Sequence, residues 1–313
     1  MRLVVLGSFI QACCWYVDRL PKPGETFAAS SLSVEAGGKG LNVAIGAKRL
    51  GADVDVLLGI GRDAAGEALL SLLAKEKLAA GHVWRLAPQS GYGAGLIAAD
   101  GQNAIAIYPG PNLLVGEAHI ASATAAIASA DLAYGQLETS IAAVTAFFRL
   151  ARRSGVDTVL NASPWQDLPQ DLFDLTRILI VNELEAGHLL ESAVPLTGSP
   201  QDSAVLIADR ADTLWKRWSG SLLVVTLGEK GALAFDRNGS VHPAPAFAIK
   251  AVDSTGAGDA FASAFCCAYG NRAPLESALQ YANAAGAWVA SRVGVLEALP
   301  TREDLRGFIK SRG

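Results

Sequence analysis

The sequence predicts an α/β protein built on a mostly parallel sheet. Apolar runs of strand length alternate with amphipathic stretches of helix length, and glycine-rich turns stand where strands pass into helices. The 313-residue chain, 51% apolar and 18% charged, can bury a sizeable core, which excludes disordered, collagen-like and disulfide-scaffold classes. At ~150 residues per domain, a soft prior, the length suits two domains or one large α/β domain with an appendage. We expect the latter over residues 1–313.

Arg2 to Gly7 reads as a continuous apolar strand, and Gly37-Gly38-Lys39-Gly40 opens a helix with Leu41, Ala44 and Ile45 at helical spacing, ended by Gly51. A strand at Val54 to Leu58, a glycine turn at Gly59 and Gly61, and a helix from Glu67 to Lys77 follow. Strands at Asp131–Tyr134, Thr158–Leu160, Ile178–Val181 and Leu222–Leu227 continue the rhythm, with helices from Ser140 to Arg153 and from Glu183. Two long helical stretches, Ala257–Tyr269 and Pro274–Ser291, close it, and Ser192 to Gln201 reads as a surface loop. Segments of about 10–35 and 91–110 break the rhythm and look like antiparallel pairs, the second joined at Asp100-Gly101. They suit a small second sheet, either a lid over a cleft or an edge extension.

Lys+Arg of 26 against Asp+Glu of 30 leaves a net charge of −4 and no basic block, which argues against nucleic-acid and anionic-membrane partners. The four cysteines form adjacent pairs, Cys13-Cys14 and Cys266-Cys267, without metal spacing, and read as reduced thiols of a cytoplasmic protein. The apolar N-terminus superficially resembles a signal peptide, but Asp18-Arg19 follows with no small-residue cleavage site. No run offers the ~20 apolar residues of a membrane span. His82, His119, His188 and His242 lie in no motif and show no metal spacing; Trp215 and Trp218 read as core.

The strongest chemical signal is Val252-Asp253-Ser254-Thr255-Gly256-Ala257-Gly258-Asp259-Ala260-Phe261. Small residues run directly into a helical apolar pattern, leaving backbone N–H groups at a helix start to face an anion. Asp259 in the first turn is either a helix cap or a base that takes a proton from a hydroxyl nucleophile. Ala36-Gly37-Gly38-Lys39-Gly40-Leu41-Asn42 is a second glycine cluster, where a ligand can approach the backbone and Asn42 can donate and accept hydrogen bonds; it is not a Walker loop, since Gly40 follows Lys39. Asn182 and Glu185, three apart after a strand, suit hydrated Mg²⁺ or, equally, a capping box. Thr226-Leu227-Gly228-Glu229-Lys230-Gly231 offers a turn for nucleotide phosphates or ribose.

In order and spacing these motifs, with Pro23-Gly24-Glu25-Thr26 and Gly135-Gln136-Leu137-Glu138, resemble the ribokinase-like carbohydrate kinases, the PfkB family, over essentially the whole chain. The resemblance implies a three-layer α/β/α sandwich with a β lid from segments 10–35 and 91–110, ATP-dependent phosphorylation of a primary hydroxyl on a sugar-like acceptor, and a homodimer through the lid. It makes Asp259 the general base and Gly256, Ala257 and Gly258 the anion hole. Asn182 and Glu185 would organise Mg²⁺ through water, Thr226, Gly228 and Gly231 would line the ATP site, and Asn283 would lie near the adenine. Gly38, Lys39, Asn42 and Glu138 would contact the acceptor. Asp253, the Thr255 carbonyl and Gly294 match a loop that binds a monovalent cation such as K⁺ in some members, although Ala298 stands where a hydroxyl is usual.

One departure concerns the acceptor. Ile10 and Ala12 occupy positions where the family usually places an Asn and an Asp that hold sugar hydroxyls. With Cys13 and Trp15 they are expected to form an apolar wall, favouring a less hydroxylated acceptor; alternatively Gln11 or Asp18 takes over the diol. Two other readings remain: a dinucleotide-dependent oxidoreductase using Gly59-Ile60-Gly61-Arg62-Asp63-Ala64-Ala65-Gly66, whose third glycine falls two positions late, and a catalytically weak sugar sensor on the same fold.

Overall fold

The computed structural model describes residues 1–191 and 200–312. The expected loop at Ser192–Gln201 lies outside the described residues up to 199, and Pro200 opens the Pro200–Arg217 helix.

In chain order the strands are β1 (Arg2–Leu6), β2 (Ile10–Val17), β3 (Ser31–Gly37), β4 (Asp53–Gly61), β5 (Val83–Ala87), β6 (Gly91–Ala98) and β7 (Asn103–Tyr108). Then come β8 (Leu132–Gln136), β9 (Asp157–Asn161), β10 (Ile178–Asn182), β11 (Leu222–Thr226), β12 (Ala232–Asp236) and β13 (Val241–Ala244). Among the described residues they form two sheets. The nine-stranded one runs β13-β12-β11-β10-β9-β8-β1-β4-β5. It is parallel from β11 to β5 and antiparallel across β11, β12 and β13.

β1 explains the layering. Leu3 and Val5 join the apolar layer of the Lys39–Arg49, Ala257–Gly270 and Leu275–Ala290 helices, while Val4 and Leu6 join the opposite layer, with Ile141–Arg153 and Pro200–Arg217. A strand segment covered on both faces must be apolar at every position, which is why Leu3 to Leu6 read as an unbroken run after the half-exposed Arg2. The result is the expected three-layer sandwich.

The direction of strand addition reverses between β1 and β8. From β1 the chain moves outward through β4 to β5; it then returns to β8 and moves the other way to β11. Such a reversal opens a crevice at the carboxyl ends of the strands.

The second sheet has the order β3-β2-β6-β7. β2–β3 and β6–β7 are the expected antiparallel pairs, and β2 joins them by pairing with β6 in parallel, from Ile10↔Gly91 to Val17↔Ala98. One expectation fails here: Gly59 and Gly61 are no turn but lie inside β4. The following helix begins early, at Ala64, because the Asp63 side chain accepts the Gly66 N–H at 3.0 Å and caps it. A glycine pair buried in strand cannot cradle a pyrophosphate, so the dinucleotide reading loses its motif. β12 and β13 carry little strand signal, because Ala232, Ala234, Pro243 and Ala244 have low strand propensity; their pairing with β11 and each other decides.

Candidate functional site

The site forms where β1 and β8 end. After β1 the chain turns through Gly7, Ser8 and Phe9, and the Lys39–Arg49 helix starts against that turn. Gly38 adopts φ +113°, and a Cβ there would lie 2.4 Å from the Ser8 carbonyl oxygen. A Cβ on Gly40 would lie 2.1 Å from Gly7 Cα. The glycines expected to admit a ligand are therefore required first by the protein's own backbone.

Glu138, just beyond β8, closes the cluster. Its Oε2 accepts the Ser8 hydroxyl and, at 2.9 Å, the Lys39 backbone N–H. Asn42, buried one turn into the helix, donates Nδ2 to Asp259 Oδ2 at 2.7 Å. Lys39, Asn42, Glu138 and Asp259 thus converge from three distant segments. Ser8 is a member the motifs do not name; its place directly after the central strand is the signal that finds it.

Asp259 is the third residue of the Ala257–Gly270 helix and only 6% exposed. Burial pushes its carboxyl up, the Lys39 ammonium and the Asn42 hydrogen bond pull it down, and the Glu138 charge pushes it up, leaving it at about 6. Gly256 caps this helix at φ +77°, where a Cβ would lie 2.5 Å from Val295 Cγ1. The N–H groups of Gly256, Gly258 and Asp259 have no partner among the described residues, whereas the Ala257 N–H donates to the Ser254 carbonyl at 3.1 Å. Of the three groups expected in the anion hole, Ala257 contributes a different function: it closes the turn.

Past Gly258 opens a cleft of about 600 Å³, lined by Thr226, Gly228, Gly231, Phe247 and Asn283 among others. Asn283 donates its amide to the Ala244 and Pro245 carbonyls at 2.9 and 3.2 Å and so holds the wall of the cleft. Asn182 and Glu185 do form a capping box: Asn182 Oδ1 accepts the Glu185 N–H at 2.9 Å, and Glu185 Oε2 accepts the Asn182 N–H at 2.8 Å. Asn182 pairs with Thr226 across β10 and β11, which puts the box at the carboxyl ends of these strands, beside the cleft that Thr226 lines. Asp253 accepts the Thr255 N–H at 2.9 Å, and the Gly256–Val295 contact brings the loop of Gly294 against that of Thr255; Ala298 is buried and offers no side-chain oxygen.

The expected wall changes in composition. On a strand, alternate residues face opposite ways, so Ile10 and Ala12 share a face with Cys14, and Cys13 and Trp15 face the other side. Gln11 also lies on that other side, donating to the Glu35 carbonyl at 3.0 Å, and Asp18 lies beyond the strand. The histidines have partners elsewhere: His119 accepts the Gly116 N–H, His242 bridges Asp236 and Glu276, His188 stacks on Trp165 and His82 packs against Trp84. Among the described residues no group of three or more His, Cys, Asp or Glu side chains is placed to hold a metal.

The model of the pfkB family carbohydrate kinases matches residues 1–302. The chain belongs to that family. It is 30% identical over 309 residues to a ribokinase of Haemophilus influenzae, covering 98% of each chain. To a mouse ribokinase it is 32% identical over 308 residues, covering 97% of this chain and 93% of that one. The structure of an Arabidopsis thaliana ribokinase complexed with ribose and ATP superposes with a TM-score of 0.89 at 27% identity and 98% coverage of both. Family membership makes the protein a carbohydrate kinase, and the site just described is where its motifs meet. Among the described residues no helix is long and apolar enough to cross a membrane.

Proposed function

We propose that the protein transfers the γ-phosphoryl group of ATP to a primary hydroxyl of a sugar-like acceptor. One observation carries this: the buried Asp259 links the 600 Å³ cleft, which its neighbour Gly258 lines, to the polar cluster of Asn42, Lys39 and Glu138. The cleft side is assigned to ATP and the side of Gly38, Lys39, Asn42 and Glu138 to the acceptor; the similar Arabidopsis ribokinase is likewise complexed with both ribose and ATP.

Asp259, ionised, takes the proton of the acceptor hydroxyl as its oxygen bonds to the γ-phosphorus; the bond from that phosphorus to the bridging oxygen breaks, and ADP leaves. The free N–H groups of Gly256 and Gly258, at the positive end of a 14-residue helix, face the charge on the moving phosphoryl group. Glu185 keeps one carboxylate oxygen outside its capping box, so the oxygen-only pair Asn182 and Glu185 would hold Mg²⁺ through water, which neutralises phosphate charge when bound. Asp253, Thr255 and Gly294 would offer carbonyl and carboxylate oxygen to a monovalent cation, and Ala298 limits that set.

The acceptor wall of Ile10, Ala12 and Cys14 lies beside Gly91, Gly93 and Gly95 of β6 and is apolar, which supports an acceptor with fewer hydroxyls than ribose on that face. The second sheet acts as its lid. On its opposite face Leu32 and Val34 are 55% and 56% exposed beside Trp15, which supports pairing with a second copy there. The unpaired thiols accord with a reducing, cytoplasmic setting.

A coupled ATP-consumption screen across pentoses, hexoses, ketoses, nucleosides and sugar acids tests this. Acceptor-dependent consumption that disappears in Asp259→Asn is expected. Binding without turnover by every acceptor would instead make the protein a sensor.

A further inference from the structure

Resting on that reading, we propose that Asn42 is a positioning residue for the base: its amide fixes the direction of the Asp259 carboxylate and so acts on the acceptor through Asp259. Asn42 lies on the Lys39–Arg49 helix among Leu41, Val43, Ala44 and Ile45, all fully buried. An apolar residue would serve helix and core better than a buried amide, which carries a desolvation cost. Its side chain makes one hydrogen bond, the 2.7 Å contact from Nδ2 to Asp259 Oδ2. Its other polar atom, Oδ1, is buried without a partner among the described residues. Among the described residues Asp259 is the partner this amide has, and Oδ1 is left for the acceptor.

The converse also holds. No other side chain among the described residues hydrogen-bonds the Asp259 carboxylate, so Asn42 supplies the directional restraint on it. The charged and titratable groups around it are Lys39 on the same helix as Asn42, Glu138 after β8, and the buried Tyr134 of β8. Lys39 and Glu138 act on Asp259 in opposite directions. A donor to the ionised form favours that form, so Asn42 keeps the base ready at lower pH than burial alone would allow.

The test reads the carboxyl directly and needs no acceptor. In protein labelled with [¹³Cγ]aspartate, the Asp259 resonance is assigned by its loss in Asp259→Asn and titrated in the wild type, Asn42→Leu and Asn42→Ala. A charge-assisted hydrogen bond is expected to be worth about one pH unit, so both variants should titrate about one unit higher. ADP binding in the cleft, measured by calorimetry, should stay within about threefold and reports that each variant is folded; alanine, the best helix former, covers the case in which leucine does not fit. Titration unchanged in a folded variant would overturn the role of Asn42. Undiminished turnover in Asp259→Asn would instead overturn the base, a separate outcome.

Discussion

Ser8 and Glu138 meet across the point where the sheet reverses its direction. The Ser8 hydroxyl, one turn beyond β1, donates to Glu138 Oε2, and the same oxygen accepts the Lys39 N–H at 2.9 Å. One carboxylate oxygen thereby ties the ends of two adjacent strands to the start of a helix. The arrangement also fixes a negative charge near Asp259, where it opposes ionisation of that carboxyl.

Glu138→Gln should therefore move the acidic limb of the acceptor kcat/KM profile to lower pH, because removing a like charge eases ionisation of Asp259. A limb that stays in place or rises would show that Glu138 acts only on the acceptor.

Asp259→Asn should fold normally and lower kcat by at least ~10²-fold, the lower end for loss of a positioned base. In the wild type the rate should fall as pH drops through about 6, where the base takes up its proton. Near-wild-type kcat in the variant, measured by the coupled assay, removes Asp259 from the chemistry.

The same substitution has a stability signature. Asp259 is raised from 3.8 to about 6 on folding, so its ionised form is penalised in the native state. The penalty is absent below the unfolded value, grows as pH rises between 3.8 and about 6, and is complete above. Urea unfolding should show Asp259→Asn more stable than wild type at pH 8, by up to roughly 3 kcal/mol, with the gap closing toward pH 4. A gap independent of pH would contradict the raised carboxyl.

Glu185→Gln should raise the Mg²⁺ concentration needed for half-maximal rate, since the free carboxylate oxygen loses its charge. The alternative has a distinct result: if Glu185 only completes the capping box with Asn182, glutamine still accepts the Asn182 N–H, and neither the Mg²⁺ profile nor thermal stability changes appreciably.

Ribose should be a poor acceptor, because a wall built for hydrogen bonds rejects strongly and Ile10 and Ala12 supply none. kcat/KM for ribose should rise in Ile10→Asn/Ala12→Asp. Efficient phosphorylation of ribose by the wild type would overturn the apolar wall.

Some of this was legible along the chain because its causes are local. Leu3 to Leu6 of β1 must be apolar, the turn before Asp259 must be small, and Asn182 with Glu185 three residues on has the spacing of a capping box, which the structure confirms. Asp259, proposed as the base, the small-residue turn before it and the glycine cluster at 37–40 were therefore readable as motifs. Their partners were not, since hydrogen bonds such as Asn42 to Asp259, 217 residues apart, depend on how strands are ordered in the sheet. The glycines at 38 and 40 show the limit: their spacing suggested an approach by ligand, and the packing of Gly7 and Ser8 against them supplies the actual constraint. Likewise an apolar stretch from Ile10 to Trp15 reads as one wall, but pairing with β6 and the alternation of a pleated strand divide it between two faces. Residue type and spacing specify which chemistry is present, because capping, turn geometry and periodicity act within a few residues. Which carboxylate is buried, what it faces and how readily it gives up its proton follow from contacts between distant segments, because desolvation and charge act through space rather than along the chain.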